Sequence, residues 1–301
     1  MVYFKLLLTA FLWGGTFVAG RMIAHSVHPV CAAFLRFAIA TVFLLLLTVR
    51  NEGRLPALGK KQILPVILLG LTGVFAYNIL FLTGLKYIHA GRAALIVATN
   101  PVFISLLSAL FFKERLNWIK GVGICLSVAG AMIVISNGRI ADLGRYRIGK
   151  GELLIAGCVL SWVAYSLIGK SVMTQLSPLT SVAYSAVAGT ALLFPPAMIS
   201  GLGREIFDYA VRDWMSLFYL GFFGTVLGFS WYYQGIKHIG PMKASVFINF
   251  VPVSAIVLAS LILKEQITVS MVLGTMLVIT GVYLTNASGV FMRYMRTLFL
   301  R

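Results

Sequence analysis

Long apolar runs occupy most of this chain, and they limit the folds that are open to it. Ten runs can be read, at 4–24, 30–49, 63–83, 90–112, 118–135, 152–171, 179–199, 214–234, 241–263 and 269–285. A helix needs about 20 apolar residues to cross a bilayer. The runs are continuous rather than alternating, which argues against a β-barrel. We predict an all-α integral membrane protein with ten transmembrane helices, α1 to α10 in chain order.

Composition and charge exclude two further classes of protein. The 301 residues are 60% hydrophobic and 11% charged, with a mean hydropathy of +0.95, whereas soluble proteins carry about 25% charged residues. A net charge of +17 would suggest nucleic-acid binding in a soluble protein. Here Lys and Arg fall mostly in short loops between apolar runs, where they act as topology signals and contact lipid headgroups. We expect the lipid bilayer as a partner, and no nucleic acid.

The two halves of the chain resemble each other. Shifted by 151 residues, they align without a gap from about Leu69 to Ile135, and Pro101 then falls on Pro252. At a shift of 149, Trp13 falls on Trp162. The chain divides into a first five-helix repeat (1–135), a linker (136–151), a second five-helix repeat (152–285) and a basic tail (286–301). An odd number of helices per repeat makes the second repeat enter the membrane in the opposite orientation, giving two inverted repeats.

The placement of Lys and Arg predicts the orientation. If the amino terminus is cytoplasmic, the cytoplasmic segments hold 14 basic residues and the opposite side holds 10, and in the first half the counts are 8 and 3. Cytoplasmic loops carry the excess of Lys and Arg. We expect a multi-pass protein of the cytoplasmic (inner) membrane, with both termini, the 50–61 loop and the 286–301 tail in the cytoplasm.

Several motifs are shared with a known family. They are WGGTFVAGR in α1, an arginine early in α2 (AAFLRFAIA), a repeated Pro-Val in α4 and α9, a glutamate at the end of both (FFKER, LILKEQ) and a glycine-rich helix after each. With this set, residues 4–285 resemble the ten-helix EamA-type transporters of the drug/metabolite transporter superfamily. The resemblance implies secondary transport, often export, of amino acids, other metabolites or drugs. It does not fix the substrate.

Enzyme and metal signatures are missing from the sequence. It contains no GxxxxGK[ST], HExxH or GxSxG motif, so we expect neither an enzyme, nor ATP-driven pumping, nor a cofactor. The four histidines lie near helix ends at spacings that do not suggest a metal site. The three cysteines, at positions 31, 125 and 158, have no CxxC spacing, and we interpret them as small core residues rather than disulfide partners or metal ligands.

Two repeat-equivalent prolines lie deep inside predicted helices. Pro101 and Pro252 each stand about twelve residues into α4 and α9. A proline inside a helix removes a backbone hydrogen bond and kinks the helix. Such kinks are also tolerated without a function in membrane helices. The symmetry favours a hinge role, in which α4 and α9 bend around a central cavity and flex during transport.

Polar and aromatic side chains in the middle of several runs predict that cavity. A buried amide is costly unless it is paired, and Trp13 and Trp162 lie too deep for an interfacial belt. Plain packing and interhelical hydrogen bonding are the alternatives at each position. The candidate cavity residues are Trp13, Tyr77, Asn78, Asn100, Trp162, Tyr165, Trp231, Ser245 and Asn249. The sequence does not settle which faces of α3 and α8 line the cavity.

Glycines recur seven residues apart in α5 (Gly123, Gly130) and α10 (Gly274, Gly281). Small residues at this spacing let membrane helices approach closely. We therefore predict that α5 and α10 are packing helices rather than cavity walls. They could hold the two halves together or support a homodimer, so monomer and homodimer both stay open.

The charged residues within the predicted membrane helices limit which substrate charges are expected. All eight acidic residues fall in loops or at helix ends, which argues against an exporter of cationic drugs with a membrane-embedded carboxylate. The one clear intramembrane charge is Arg36, about six residues or roughly 9 Å into α2. Either Arg36 fixes helix packing, or Arg36, with Arg21, attracts a substrate carboxylate. The second interpretation predicts anionic or zwitterionic substrates.

These features together predict a secondary transporter. The leading hypothesis is an exporter of small metabolites such as amino acids, working by alternating access through a central cavity between the repeats. Two alternatives remain, a passive uniporter without ion coupling and a membrane scaffold that transports nothing.

Overall fold

The structure, a computed structural model, describes residues 1–112, 118–135, 148–281 and 283–284. Most of the predicted linker, the Lys113–Glu114 pair and the basic tail lie outside these residues. The helices are α1 (Val2–Met22), α2 (Pro29–Glu52), α3 (Lys60–Tyr87), α4 (Ala90–Val97 and Asn100–Phe112), α5 (Trp118–Ile135), α6 (Lys150–Val172), α7 (Pro178–Ile199), α8 (Val211–Gly240), α9 (Phe247–Leu263) and α10 (Val269–Gly281). A one-turn helix, Leu202–Glu205, precedes α8.

These bounds confirm the all-α membrane class. The described part of the chain contains helices, turns and loops and no strand. α1, α2, α3, α6, α7 and α8 are each long and apolar enough to cross a membrane, and shorter apolar helices lie within α4, α5, α9 and α10. The chain is a multi-pass membrane protein.

The pairing of α2 with α7 establishes the inverted repeat. Both helices begin with a proline at the first turn, Pro29 and Pro178, which are 149 residues apart. The Thr41 and Thr190 hydroxyls, also 149 apart, lie 3.0 Å from each other. The start of α2 contacts the end of α7, and Glu52 at the end of α2 accepts a hydrogen bond from Thr180 at the start of α7, at 2.7 Å. The equivalent helices therefore run antiparallel across a pseudo-twofold axis.

Both predicted proline helices are irregular just before the proline. α4 breaks at Ala98 and Thr99, and a 3₁₀ turn, Val246–Asn249, forms the start of the α9 region just before Pro252. A proline has no N–H for the carbonyl four residues earlier and its ring crowds that carbonyl. These carbonyls belong to Val97 and Ile248, so the sequence explains both irregularities.

Wide π-helical turns occupy the middle of α3 and α8. They span Gly70–Ala76 and Tyr219–Leu227, and their glycines, Gly70 with Gly221 and Gly73 with Gly224, are repeat mates. A methyl group added at Gly70 would lie 2.7 Å from the backbone nitrogen of Gly189 in α7. Glycine is therefore needed where α3 crosses α7. Nothing in the sequence analysis anticipated the π geometry.

The glycine-rich helices pack as predicted. An added Cβ at Gly130 of α5 would lie 2.8 Å from the carbonyl oxygen of Gly274 in α10, so α5 and α10 bring their backbones together and join the two halves. All three cysteines are free. Cys31 and Cys158 are buried as predicted, whereas Cys125 is exposed, so the core interpretation is wrong for Cys125.

Candidate functional site

An aromatic cluster marks the crossing of the two halves at the centre of the molecule. Trp13 of α1 and its repeat mate Trp162 of α6 meet edge to face, with ring centroids 5.3 Å apart. Tyr77 and Phe229 pack on Trp162 at centroid distances of 5.2 and 5.1 Å. The indole N–H of Trp13 donates to the carbonyl of Gly224 at 2.9 Å. The buried polar atom of Trp13 is thus satisfied and its ring is fixed in place.

A small cavity lies beside this cluster. It is lined by Trp13, Thr16, Phe17, Arg36, Tyr77, Phe81, Val97, Asn100, Trp162, Phe229, Ile248 and Val251. Its volume is about 30 Å³, which is room for about two water molecules. A metabolite does not fit this volume, so the cavity is too small to hold one in this conformation.

Arg36 brings a positive charge to this cavity. Its side chain is 2% exposed. Nε donates to the Thr225 hydroxyl at 3.0 Å and Nη1 donates to the Asn78 amide oxygen at 2.8 Å. Within the described residues, Arg36 has no carboxylate partner and its Nη2 has no hydrogen-bond acceptor. A buried cation with neutral partners and a free donor is prepared for an anion.

The π turns place the two partners of Arg36. Asn78 follows the π turn of α3 and donates to the carbonyls of Gly73 and Val74, at 3.2 and 2.8 Å. Thr225 lies in the π turn of α8 and donates to the carbonyl of Leu220 at 3.0 Å. Each side chain donates to carbonyls of the π turn in its own helix and presents an oxygen to Arg36. Arg36 therefore bridges the two repeats.

Two amide oxygens lie unpaired near the helix breaks. The Oδ1 atoms of Asn100 and Asn249 are buried and have no hydrogen-bond partner among the described residues. Asn100 lines the cavity, together with the repeat mates Val97 and Ile248. Asn249 is buried one residue from Ile248 but is not part of the lining. An unpaired buried oxygen costs about 1–3 kcal/mol, so Asn100 offers an acceptor that a ligand in the cavity could satisfy.

The structure brings together most of the candidate residues. Trp13, Tyr77, Asn100, Trp162 and Arg36 line the cavity. Asn78 does not line the cavity but accepts a hydrogen bond from Arg36, which does. The Tyr165 ring packs against Trp162, with ring centroids 5.3 Å apart.

Three other candidates, Trp231, Ser245 and Pro252, lie outside the lining. Trp231 is half-buried and Ser245 is buried. Pro252 is buried in α9, and the Pro101 backbone lies in α4 while its side chain falls outside the described part.

Arg21 is also away from the cavity. Its guanidinium donates to the carbonyls of Leu85 and Lys86, at 2.5 and 3.2 Å, and so caps the end of α3. Capping of this kind satisfies carbonyls that the last helical turn leaves free. The suggestion that Arg21 acts beside Arg36 therefore has no geometric support.

Sequence reasoning missed several lining residues. Thr16 and Phe17 follow Trp13 by three and four residues, and Phe81 follows Tyr77 by four. Residues at these spacings share a helix face. Once Trp13 and Tyr77 are taken as cavity residues, the spacing predicts that these three also face the cavity. Thr225 was harder to predict. The only indication in the sequence is that it is polar while its repeat mate, Val74, is apolar.

Comparisons with known proteins agree with this architecture. The chain matches the model of the EamA-like transporter family over residues 1–136 and 149–287. It is 30% identical to the uncharacterized transporter YyaM of Bacillus subtilis (strain 168), covering 96% of this chain and 94% of that protein. It is also 30% identical to a "probable terminal-alkyne amino-acid exporter" of Streptantibioticus cattleyicolor, covering 93% of this chain and 92% of the exporter.

A solved crystal structure shares the fold. It superposes with a TM-score of 0.67 at 20% sequence identity and covers 93% of this chain and 94% of its own chain. At this identity the likeness concerns the fold alone. The family match spans both five-helix halves. The chain belongs to the EamA-like transporter family.

Proposed function

We propose that this transporter exports small metabolites that carry a carboxylate, such as amino acids, by alternating access. The observation that carries the proposal is Arg36, a buried cation on the cavity wall with neutral partners and an unpaired Nη2. The carboxylate of a substrate would complete the coordination of its guanidinium. The amino-acid exporter among the relatives supports the same substrate class.

The remaining walls suit an amphipathic molecule. Trp13, Trp162 and Phe229 offer apolar and aromatic surface, and the Asn100 oxygen offers an acceptor for an ammonium or hydroxyl group. Aromatic faces also attract cations at short range, which suits the ammonium group of a zwitterion. Because Arg36 repels a molecule that carries only positive charge, a zwitterion or anion matches the cavity better than an organic cation does.

Transport requires the cavity to open, since about 30 Å³ holds only water. The breaks before Pro101 and Pro252 are the hinges in this proposal, because the regular helix is already interrupted there. Val97 and Ile248, one turn before each proline, lie on the cavity wall. A bend at these points therefore moves the wall directly.

A passive uniporter is the second candidate, and one observation favours it. No carboxylate lines the cavity among the residues that the structure describes, so the cavity has no acidic group to carry a proton. In both candidates we place the protein in the cytoplasmic membrane with both termini in the cytoplasm. Monomer and homodimer are equally compatible with these proposals.

Counterflow in liposomes tests the proposal. Purified protein is reconstituted in vesicles loaded with an unlabelled amino-acid mixture, and the uptake of each labelled amino acid is measured. We expect exchange of at least one amino acid, which depends on Arg36 and is lost in Arg36→Gln. A flux unchanged by imposed proton or sodium gradients selects the uniporter. Exchange that is equal in wild type and Arg36→Gln would contradict the carboxylate role.

A further inference from the structure

The molecule has two opposite faces where helices begin and end. The linker face holds residues 23–28, 88–92, 148–152, 200–210 and 264–268. The amino-terminal face holds residues 1–5, 53–59 and 173–177, with Gly240. Contacts between neighbouring segments define both, for example Ser26 with Asp213 on the first and Lys5 with Gln234 on the second. The pseudo-twofold axis exchanges the two faces, so each contact on one face has an equivalent position on the other.

Two carboxylates of the second repeat hold the start of α4 on the linker face. Arg92 Nη2 lies 2.8 Å from Glu152 Oε1, and the two side chains are 17% and 8% exposed. Glu265 Oε1 accepts a hydrogen bond from the Ala90 backbone N–H at 3.2 Å and lies 3.4 Å from His89 Nδ1. These contacts tie the first repeat to the second from two sides. We call Arg92, Glu152, Ala90 and Glu265 the interlock.

The amino-terminal face cannot copy the interlock. The repeat mate of Glu152 is Tyr3, which has no carboxylate, and the mate of Ala90 is Pro241, which has no backbone N–H to donate. Arg92 corresponds to Lys243 and Glu265 to Glu114, so neither contact of the interlock can form between the equivalent residues. Tyr3 instead packs on Phe247, with ring centroids 5.9 Å apart.

This difference matters because opening a face separates its contacts. An ion pair that is mostly buried resists separation, since each charge must be rehydrated or left unpaired. A pair of aromatic rings between helices in a lipid-surrounded protein separates more easily, since lipid can replace either ring. The interlock therefore gives the linker face a charged contact between the repeats that has no counterpart at the equivalent positions of the amino-terminal face.

We propose that the interlock is a gate on the linker face, and that Arg92 and Glu152 set the balance between the two access states. The proposal rests on the alternating access proposed above. At rest the linker face is closed, and the cavity communicates mainly with the amino-terminal face. The linker face opens only when the Arg92–Glu152 pair separates.

Thiol labelling from each side tests the gate without a substrate. The reporter is Thr16→Cys on the cavity wall, in a background where Cys31, Cys125 and Cys158 are replaced by alanine. Purified protein in vesicles is treated with a membrane-impermeant maleimide, and a separate Ile148→Cys variant, 59% exposed on the linker face, identifies which side that face occupies. We expect the parent to label faster from the amino-terminal face.

Breaking the ion pair should expose the reporter to the linker face. We expect Glu152→Gln and Arg92→Gln each to raise the labelling rate from that face by at least about tenfold, which is about 1.4 kcal/mol in the gating equilibrium. Asp208→Asn, an exposed carboxylate on the same face, is the control and should leave the rate unchanged. The reversed pair Arg92→Glu/Glu152→Arg should restore the parental rate and so distinguishes the gate from general loosening of the fold.

The outcomes separate the gate from alternating access. If the parent labels from the amino-terminal face while both single variants leave the linker-face rate unchanged, the gate is wrong and alternating access stands. If the reversed pair labels as fast as the single variants, the ion pair does not close the gate and the proposal is overturned. If the reporter labels from neither face in any variant, alternating access fails together with the gate.

Discussion

The helices α2 and α7 occupy equivalent places in the two repeats, yet only α2 carries a charge at the cavity. They start with equivalent prolines and meet at Thr41 and Thr190. Arg36 of α2 corresponds to Ser185 of α7. Ser185 donates to the Val182 carbonyl of its own helix at 2.9 Å and lies 3.2 Å from the Tyr165 hydroxyl. In α7, therefore, the helix packs with a small serine at the position that Arg36 occupies in α2.

This difference bears on the two interpretations of Arg36. A central arginine in a membrane helix costs about 2.5–3.5 kcal/mol on insertion scales. The equivalent crossing in the other repeat is packed without such a cost. Helix packing alone does not require the cation, which favours a role for Arg36 in what the cavity binds.

A second comparison concerns the starts of α3 and α8. Gln62 accepts from the Gly59 N–H at 2.9 Å and bonds Gln175 at 3.3 Å. Its repeat mate Asp213 accepts from the Ala210 N–H at 3.1 Å, and from Ser26, the mate of Gln175, at 2.7 Å. The geometry is conserved between the repeats while the charge and burial differ. Asp213 is buried on the linker face, and Gln62 is half-buried on the amino-terminal face, where its hydrogen bonds are exposed.

The largest losses of stability are expected at two repeat-equivalent glycines that have no room for a side chain. A methyl group at Gly70 would lie 2.7 Å from the Gly189 nitrogen, and one at Gly221 would lie 2.8 Å from the Arg36 carbonyl oxygen. Gly70→Ala and Gly221→Ala should each lower the free energy of unfolding by about 3 kcal/mol, because overpacking strains the backbone. Only Gly221→Ala should also weaken substrate binding, since it displaces Arg36. Denaturant unfolding in detergent and binding titrations check both effects.

Gly121→Ala is the matched control for these variants. An added Cβ at Gly121 meets no atom of the described residues within 4 Å, so stability should change by less than about 1 kcal/mol, in the favourable direction. Equal losses of substrate affinity in Gly70→Ala and Gly221→Ala would contradict the functional difference between α7 and α2.

A smaller effect should separate the two helix starts. Asp213→Ala should cost about 2 kcal/mol of unfolding free energy, because a charged, buried acceptor for two donors is lost. Gln62→Ala should cost about 0.5 kcal/mol, because water can replace its exposed hydrogen bonds. The same unfolding assay measures both. Equal losses would show that charge and burial do not distinguish the two sites.

Much of the fold could be predicted from residues that repeat. The alignment of Trp13 with Trp162 and of Pro101 with Pro252 predicted the inverted halves, and the prolines explain why α4 and α9 break. The faces of α3 and α8 could not be predicted, because these helices are apolar on all sides. Their π turns also shift the register of every later residue.

The run Trp231–Tyr232–Tyr233 shows the consequence. Three consecutive aromatic residues point in three directions on a helix, and the sequence does not select among them. In the structure Tyr232 and Tyr233 are buried and Trp231 is half-buried, after a π turn that no propensity predicts. Thr225 was missed for the same reason, since its contact with Arg36 depends on that wider turn.

The carboxylate site at Arg36 is the central claim, and the most direct measurement compares each amino acid with its own carboxamide. Binding of such pairs is titrated to purified wild type and to Arg36→Gln. For the amino acids that bind, wild type should prefer the acid over the amide by at least about tenfold, or about 1.4 kcal/mol, and Arg36→Gln should bind the two alike. A preference for the acid that persists in Arg36→Gln, or a wild type that never distinguishes acid from amide, would contradict the claim.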